Sequence, residues 1–409
     1  MPQRRERNRV VVALVTVLIL VIGVYGPITL LAPLPHSTVS EVDLSSTSAP
    51  EGPTLPADGA SGVTLSASDA PITSGSTEPV PMAATAKIVT ALVVLDKQPL
   101  EAGRSGPNVP VTADDYSSYL KFVAEGTKAV PVITGDSWTE REALGAMLIA
   151  SSNNHAEMVA RWAYGSLDNY LDAADKWLDA NGLSSTTVTD ATGLSASSVS
   201  TGHDLAILAA LAMKDPFLAD TIGVGASKTT RGASFDNTIS YRADEGVTGI
   251  SRSYTDEAGV CLLFAYAVTV GETPTVIYGA IVGEPSYDDL DSDMDAFIAS
   301  VPERLTEVSL VKKGAPVVTV KSAWGETVNG VADKSIATIG WGTATSESDV
   351  STRTFITGRA GGSIGSLTVK AGETTQTSSI VLEKRLGDPG ILWRLTHPFT
   401  MIPSFFKSL

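Results

Sequence analysis

Pro81-Met82-Ala83-Ala84-Thr85-Ala86-Lys87-Ile88-Val89-Thr90-Ala91-Leu92 continues through Val93-Val94-Leu95, and this run decides the fold. From Ile88 to Leu95 it is apolar on every face, which predicts a helix buried at the centre of a domain rather than one lying on its surface. Leu144 to Ile149 and Met158 to Trp162 flank the polar break Ser151-Ser152-Asn153-Asn154, so two further helical stretches are expected to meet at a short polar junction. Tyr170 to Leu178 reads as a helix closed by Gly182. Thr201, with Asp204 three residues later, opens another over Leu205 to Met213 as a variant capping box. Two strand-like runs, Val260 to Val270 and Thr275 to Val282, are joined by Gly271-Glu272-Thr273-Pro274 as a hairpin. Leu290, Met294, Phe297, Ile298 and Val301 then fall on one helical face able to cover a sheet. The expectation over residues 63–303 is an α+β domain with helices laid on an antiparallel sheet.

The whole chain has 409 residues, 29 basic and 45 acidic, for a formal net charge of −16. That balance argues against a polyanion such as nucleic acid as a partner. At 43 % apolar and 18 % charged residues, there is material for two or three packed domains. Cys261 is the only cysteine, which excludes an intrachain disulfide, a CxxC redox pair and a cysteine-rich zinc site. His36, His155, His203 and His397 stand apart without HExxH or HxH spacing, so neither a metal nor another cofactor is expected.

Between Arg9 and His36 no side chain is charged, and the apolar run Val10 to Leu31 exceeds the roughly 20 residues that a membrane-spanning helix needs. Arg4, Arg5, Arg7 and Arg9 precede it. The positive-inside bias therefore gives a cytoplasmic tail at 1–9, a single span at 10–32 in the cell membrane, and an extracytoplasmic bulk. A cleaved signal peptide is the rival reading. The run is longer than a usual signal core, however, and Leu30-Leu31-Ala32-Pro33 offers no A-x-A site. Residues 33–62, rich in Ser, Thr, Pro and Ala, read as an extended linker. Over 304–386, short β-branched runs (Val317 to Val320, Ser335 to Ile339, Thr352 to Ile356, Leu367 to Val369, Ser378 to Leu382) alternate with turn residues, which predicts a separate small all-β domain of sandwich or barrel type. The tail at 387–409, Ile391-Leu392-Trp393 through Phe405-Phe406-Lys407, is aromatic and apolar but interrupted by Pro398 and Pro403. It is too broken to span. Either it lies in the membrane interface or it packs on the β domain.

The stretch from Pro81 resembles the active-site helix of the D-alanyl-D-alanine carboxypeptidases, the low-molecular-mass serine penicillin-binding proteins, whose pattern P-x-A-S-x-x-K leads into an apolar helix. Ser151-Ser152-Asn153, followed by Ala156, Ala160 and Gly165-Ser166, is spaced like the S-x-N motif of that family. Asp190-Ala191-Thr192-Gly193-Leu194 with Thr201 to Ala206 resembles its connecting loop and helix. Gly249-Ile250 and Tyr254-Thr255-Asp256-Glu257-Ala258-Gly259-Val260-Cys261-Leu262 resemble the surroundings of its K-T-G strand. The resemblance covers roughly residues 60 to 303 and implies a β-lactamase/transpeptidase-like domain that acts on peptidoglycan stem peptides in the cell envelope.

Two of the three motifs depart from the family pattern. The mechanism that the resemblance implies needs a serine one helical turn before a lysine, because positions i and i+3 share a face and the lysine can take the hydroxyl proton. Lys87 is present, but position 84 is alanine, and Thr85 is turned by about 100° from the required direction. Where K-T-G is expected the chain reads Ser251-Arg252-Ser253. In the family that strand edge pairs with substrate, and its lysine and glycine supply charge and room for close approach. The positive charge has moved to Arg252, whose neighbouring position on a strand turns it to the opposite face. The surviving candidates for catalytic positions are Lys87, Ser151 and Asn153, with Ser251, Arg252 and Ser253 as the substrate-binding positions.

Gly361-Gly362-Ser363-Ile364-Gly365 fits the G-x-S-x-G nucleophile elbow but lacks the following helix that the elbow requires. Ser118-Tyr119-Leu120-Lys121 is literally S-x-x-K but stands at the wrong place in the family order. Lys87 can equally be a buried-helix lysine whose head reaches the old cleft. Ser151 and Asn153 can be caps at the helix junction, His155 a packing residue, and Asp256 with Glu257 a solvated acidic pair. Three functions stay open: a membrane-anchored pseudoenzyme that binds a peptidoglycan stem peptide or a cell-envelope protein, a working serine-type D-Ala-D-Ala carboxypeptidase with an unidentified nucleophile, and a structural spacer in the envelope.

Overall fold

The computed structural model describes residues 2–44, 51–224, 227–228, 234–342, 344 and 346–408. The chain divides into two units, one built from residues 48–308 and 339–345, the other from residues 1–47, 309–338 and 346–409.

In the first unit a five-stranded antiparallel sheet runs in the order Val247–Thr255, Gly259–Val270, Thr273–Glu284, Ala60–Thr64, Ile72–Gly75. Alternation along the second strand sends Cys261, Leu263 and Ala265 to one face and Val260, Leu262, Phe264 and Tyr266 to the other. The first face is covered by helices gathered around Ala86–Lys97, whose residues from Ala86 to Leu95 are all buried. On the second face Leu290, Met294, Phe297 and Val301 of the Tyr287–Arg304 helix are fully buried, and Phe297 meets Phe264 edge-on at 5.4 Å. The hairpin expected from sequence forms with a tighter turn. Val270 pairs with Thr273, so only Gly271 and Glu272 turn the chain, and Pro274 lies in the second strand opposite Thr269. Gly271 has φ +62, as the first position of such a two-residue turn demands.

Two local expectations need correction. Thr201 Oγ1 accepts from Asp204 N (3.2 Å), as an N-cap should. The Asp204 carboxylate does not close the capping box, because it is engaged by Ser185 N and Thr186 Oγ1 at 2.9 Å each. The expected linker at 33–62 also contains part of two strands. Thr38–Glu41 is a strand paired antiparallel with Lys321 to Val318, and Ala60–Thr64 is a fully buried strand. Composition hid the latter because the site selects small residues: a Cβ on Gly62 would come within 2.1 Å of Gly202 O. The remaining stretch at 45–50 lies outside the described residues.

In the second unit a six-stranded antiparallel sheet takes the order Thr38–Glu41, Pro316–Lys321, Thr327–Ala332, Thr374–Leu382, Ser363–Ala371, Glu347–Thr352. Its core is formed by Val317, Val318, Val320, Ile364, Leu367, Ile380 and Leu382. Of the run expected as a strand at Thr352 to Ile356, Thr352 alone is in a strand, as the last residue of Glu347–Thr352. Ser363 opens a strand, with no helix after it, so the elbow geometry is not formed. The tail forms two short helices, Gly390–Thr396 and Pro398–Lys407, that pack on the end of the N-terminal helix.

Candidate functional site

Ala83–Thr85 is a single 3₁₀ turn that runs directly into the buried Ala86–Lys97 helix. Ala84 stands where the resemblance requires the nucleophile. The Thr85 hydroxyl is fully buried and donates to Met82 O, so it is committed to its own turn. Gly193, at φ +76, lies flat against that turn: a Cβ there would come within 1.8 Å of Ala83 O. The loop that carries Gly193 is fastened by Asp190, whose carboxylate accepts from Thr192 N (2.6 Å), Thr192 Oγ1 (2.6 Å), Gly193 N (2.5 Å) and Ser195 N (2.9 Å). Burial opposes the charge, but the bonds from Thr192, Ser195 and Gly193 prevail and hold the carboxyl below its ordinary range.

Lys87 points into this loop. It is buried, and Nζ donates to Thr192 O at 2.8 Å. Burial pulls its pKa down to about 7, Asp190 pushes it back up and Lys128 adds to the depression. One turn along the helix, Thr90 Oγ1 donates to Ala191 O (2.9 Å) and lies 2.7 Å from Tyr170 OH. The loop is thus bonded to the helix at Lys87 and Thr90.

The polar junction between the Glu140–Ile149 and Asn153–Tyr164 helices turns at Ser151, which adopts φ +54. The segment after it is knitted to residues 128–130. Asn153 N donates to Lys128 O (2.9 Å), Asn154 bonds both N and O of Val130 (3.0 Å each), and Ser152 Oγ accepts from Val130 N (3.2 Å). His155 is buried edge-on to Trp138 at 4.5 Å, and burial lowers its pKa to about 3, so it is a neutral packing residue at pH 7. Asn153 Oδ1 is buried and has no hydrogen-bond partner among the described residues.

Val247–Thr255 is the edge strand of the sheet and lies against the Ala83–Thr85 turn. Register assigns its faces. Ser251 and Ser253 stand opposite Leu263 and Cys261, on the side of the Ala86–Lys97 helix, while Arg252 stands opposite Leu262, on the side of the Tyr287–Arg304 helix. Arg252 Nη1 donates to Ser240 O (3.1 Å), and its guanidinium lies over the rings of Tyr241 and Tyr287. Ser251 and Ser253 are buried, and Ser253 Oγ has no hydrogen-bond partner among the described residues. Asp256 and Glu257 are exposed in the turn beyond. Ser118, of the displaced S-x-x-K match, donates to Glu157 Oε2 (2.5 Å) on a different helix pair.

Sequence reading missed Lys128, the role of Asp190 as the clamp of its loop, and the Thr90–Tyr170 contact. The Thr90–Tyr170 contact spans 80 positions and Lys128 is reached from Asn153 N, so no local spacing announces either, whereas the Asp190 bonds come from Thr192, Gly193 and Ser195 in its own loop. The family profile described as D-alanyl-D-alanine carboxypeptidase, peptidase S11, matches residues 57–278, just over half of the chain. The chain belongs to the D-alanyl-D-alanine carboxypeptidase family. A D-alanyl-D-alanine endopeptidase of Pseudomonas aeruginosa is 26 % identical over 203 residues, which are 48 % of this chain and 61 % of that protein. The chain thus spans about three-fifths of that relative's length. Among solved structures, a peptidoglycan synthesis regulatory factor of Streptococcus pneumoniae, penicillin-binding protein 3, superposes with a TM-score of 0.58 at 18 % identity, over 81 % of this chain and 99 % of that one. Penicillin-binding protein 5 of Haemophilus influenzae gives 0.56 at 13 % identity, over 84 % and 100 %. At such identities the structures speak for the fold, and the fold is the α+β transpeptidase-like one expected.

Proposed function

We propose that this carboxypeptidase homologue is a pseudoenzyme, held to the cell membrane by its N-terminal helix with the bulk outside, and that it binds a peptidoglycan stem peptide without hydrolysing it. The observation that carries the reading is the pairing of Ala84 with Lys87. No hydroxyl stands one turn before the lysine, the neighbouring Thr85 hydroxyl is bonded to Met82 O, and Lys87 is bonded to a backbone carbonyl. Residues that act as a catalytic unit lose most of the rate when one is removed. Binding has separate support: among the described residues the edge strand has a neighbour on one side only, which leaves its other side to pair with a peptide backbone, and Asn153 Oδ1 and Ser253 Oγ are buried near it with no partner among those residues. For the anchor, the support is a 25-residue apolar helix, Arg7–Leu31, preceded by arginines.

The test uses the full chain in nanodiscs. After prolonged incubation with penicillin, intact-mass spectrometry should show no acyl adduct. Titration with a stem pentapeptide ending in D-Ala-D-Ala should give saturable binding with no release of D-alanine. A stoichiometric adduct on any residue, or turnover of the peptide, would overturn the reading.

A further inference from the structure

The Tyr287–Arg304 helix is held to the sheet along two flanks of opposite chemistry. On one flank its acids meet donors and a cation. Tyr241 OH donates to Asp291 Oδ1 (2.6 Å), Arg242 Nη2 donates to Asp291 O (2.9 Å), and Arg242 Nη1 pairs with Asp295. Tyr287, one turn before Asp291, lies with its ring 5.1 Å from the guanidinium of Arg252 on the edge strand.

On the other flank acid meets acid. Glu284 ends Thr273–Glu284, the central strand of the sheet, and is 1 % exposed. No N–H or O–H of the described residues reaches its buried Oε1, and the group within hydrogen-bond reach of its carboxyl is another carboxylate, that of Asp293. Asp289, one turn earlier on the helix, and Asp58, just before the Ala60–Thr64 strand, add negative charge beside the pair. The neighbouring strands Gly259–Val270 and Ala60–Thr64 carry no charged side chain, and Asp256 and Glu257, in the turn before the first of them, are acidic too. Arg242 is engaged on the opposite flank, and Arg304, at the far end of the helix, faces Glu51. Two carboxyls this close and this dry do not both ionise without a counter-charge, which a proton or a metal ion would supply. Among the described residues no group of three acidic, histidine or cysteine side chains is arranged to hold a metal, so the proton is favoured.

We propose that a proton on Glu284, donated in a hydrogen bond to the Asp293 carboxylate, latches the N-terminal half of the Tyr287–Arg304 helix onto the central strand, and that its loss to solvent as the pH rises loosens the helix together with Tyr287, the residue that braces Arg252. The latch works whatever the cleft binds. Linkage sets its pH window. Burial first, then Asp293, Asp289 and Asp58, raise the Glu284 carboxyl from 4.5 to about 7. Opening the helix exposes the group to water and returns it toward its ordinary value, so between these values the closed state binds the extra proton. The latch is at full strength below 4.5 and is lost as the pH rises through about 7.

The test is hydrogen exchange, read by mass spectrometry over residues 285–296 of the full chain in nanodiscs and corrected for the intrinsic pH dependence of exchange. Protection of this segment should fall about tenfold between about pH 6 and about pH 8.5. Glu284→Gln keeps a donor for Asp293 but cannot ionise, and its protection should stay constant over that range. Asp293→Asn removes the facing charge and should make the fall smaller. Infrared spectra should show a protonated carboxyl that titrates near 7 in the wild-type chain, is missing from Glu284→Gln and titrates lower in Asp293→Asn; Glu140, the other buried carboxyl raised to about 7, is common to all three. Constant protection in the wild-type chain, or an equal fall in Glu284→Gln, would refute the latch. Protection that holds to about pH 8.5 and collapses on adding EDTA would assign the carboxyls to a divalent cation and overturn the proton.

Discussion

The Ala83–Thr85 turn is flanked by the Asp190–Leu194 loop on one side and the edge strand Val247–Thr255 on the other, and the two differ in where their polar groups go. On the loop side the polar groups find partners within the protein: Asp190 takes bonds from Thr192, Gly193, Ser195 and Ser198, Lys87 is held on Thr192 O, and Thr90 meets Ala191 and Tyr170. On the strand side Ser253 Oγ is buried with no partner among the described residues, as is Asn153 Oδ1 at the helix junction. The loop thus behaves as scaffold, whereas the strand side carries unmet hydrogen-bonding capacity, the property of a surface completed by a ligand.

The largest effect should come from the loop. Gly193→Ala adds a Cβ at a position with φ +76 and within 1.8 Å of backbone oxygen, so it cannot be relieved by a side-chain rotation. Backbone strain and overpacking together predict a loss of about 4 kcal/mol, read as a fall in the urea midpoint. A loss below about 1 kcal/mol would mean that the loop is not clamped onto Ala83, and the contrast with the strand would disappear.

Lys87 gives the next effect through its pH dependence. Its folded pKa, about 7, lies below the 10.5 of the free side chain, so between those values the unfolded chain carries the extra proton. Stability therefore rises with pH across that window and is reduced below it. From pH 7 to 9.5 the full chain should gain about 3 kcal/mol more than Lys87→Met, which lacks the group. Equal slopes for the two proteins would show that Lys87 titrates as if solvated and is not held at the loop.

The elements read most readily from sequence were those whose signal is local. Ile88 to Leu95 has no polar face to offer water, so burial was the only outcome, and Gly271 marks a tight turn by itself. The alternation that sent Arg252 away from Ser251 and Ser253 follows from a period of two. The features that stayed hidden depend on distant partners. Ala60–Thr64 opens with Ala60, Ser61 and Gly62 rather than with large β-branched residues, and the N-terminal end of the Gly202–Lys214 helix presses on Gly62. Thr38–Glu41 became a strand only by pairing with Lys321 to Val318, far along the chain. In the site, Ala84 and the replaced K-T-G were visible as letters, but the bond that holds Lys87 on Thr192 spans 105 positions and has no pattern of its own.

The smallest effect on stability, and the most informative about binding, is expected at Ser253. Its hydroxyl is buried on the Ala86–Lys97 side of the edge strand and bonds to none of the described residues, so the folded state bears a desolvation cost without a compensating bond. Removing an orphaned group of this kind relieves that cost, and Ser253→Ala should leave the full chain as stable or raise stability by up to about 1 kcal/mol. The same change should weaken pentapeptide binding roughly tenfold if the hydroxyl pairs with the peptide backbone, since one hydrogen bond in a desolvated site contributes about 1–1.5 kcal/mol. Urea denaturation and calorimetric titration of the same preparation separate the two. A destabilised variant that still binds at full strength would place Ser253 with the loop residues, as a group used inside the protein. A stabilised variant with weakened binding would put the ligand contact on the strand, one face away from Arg252.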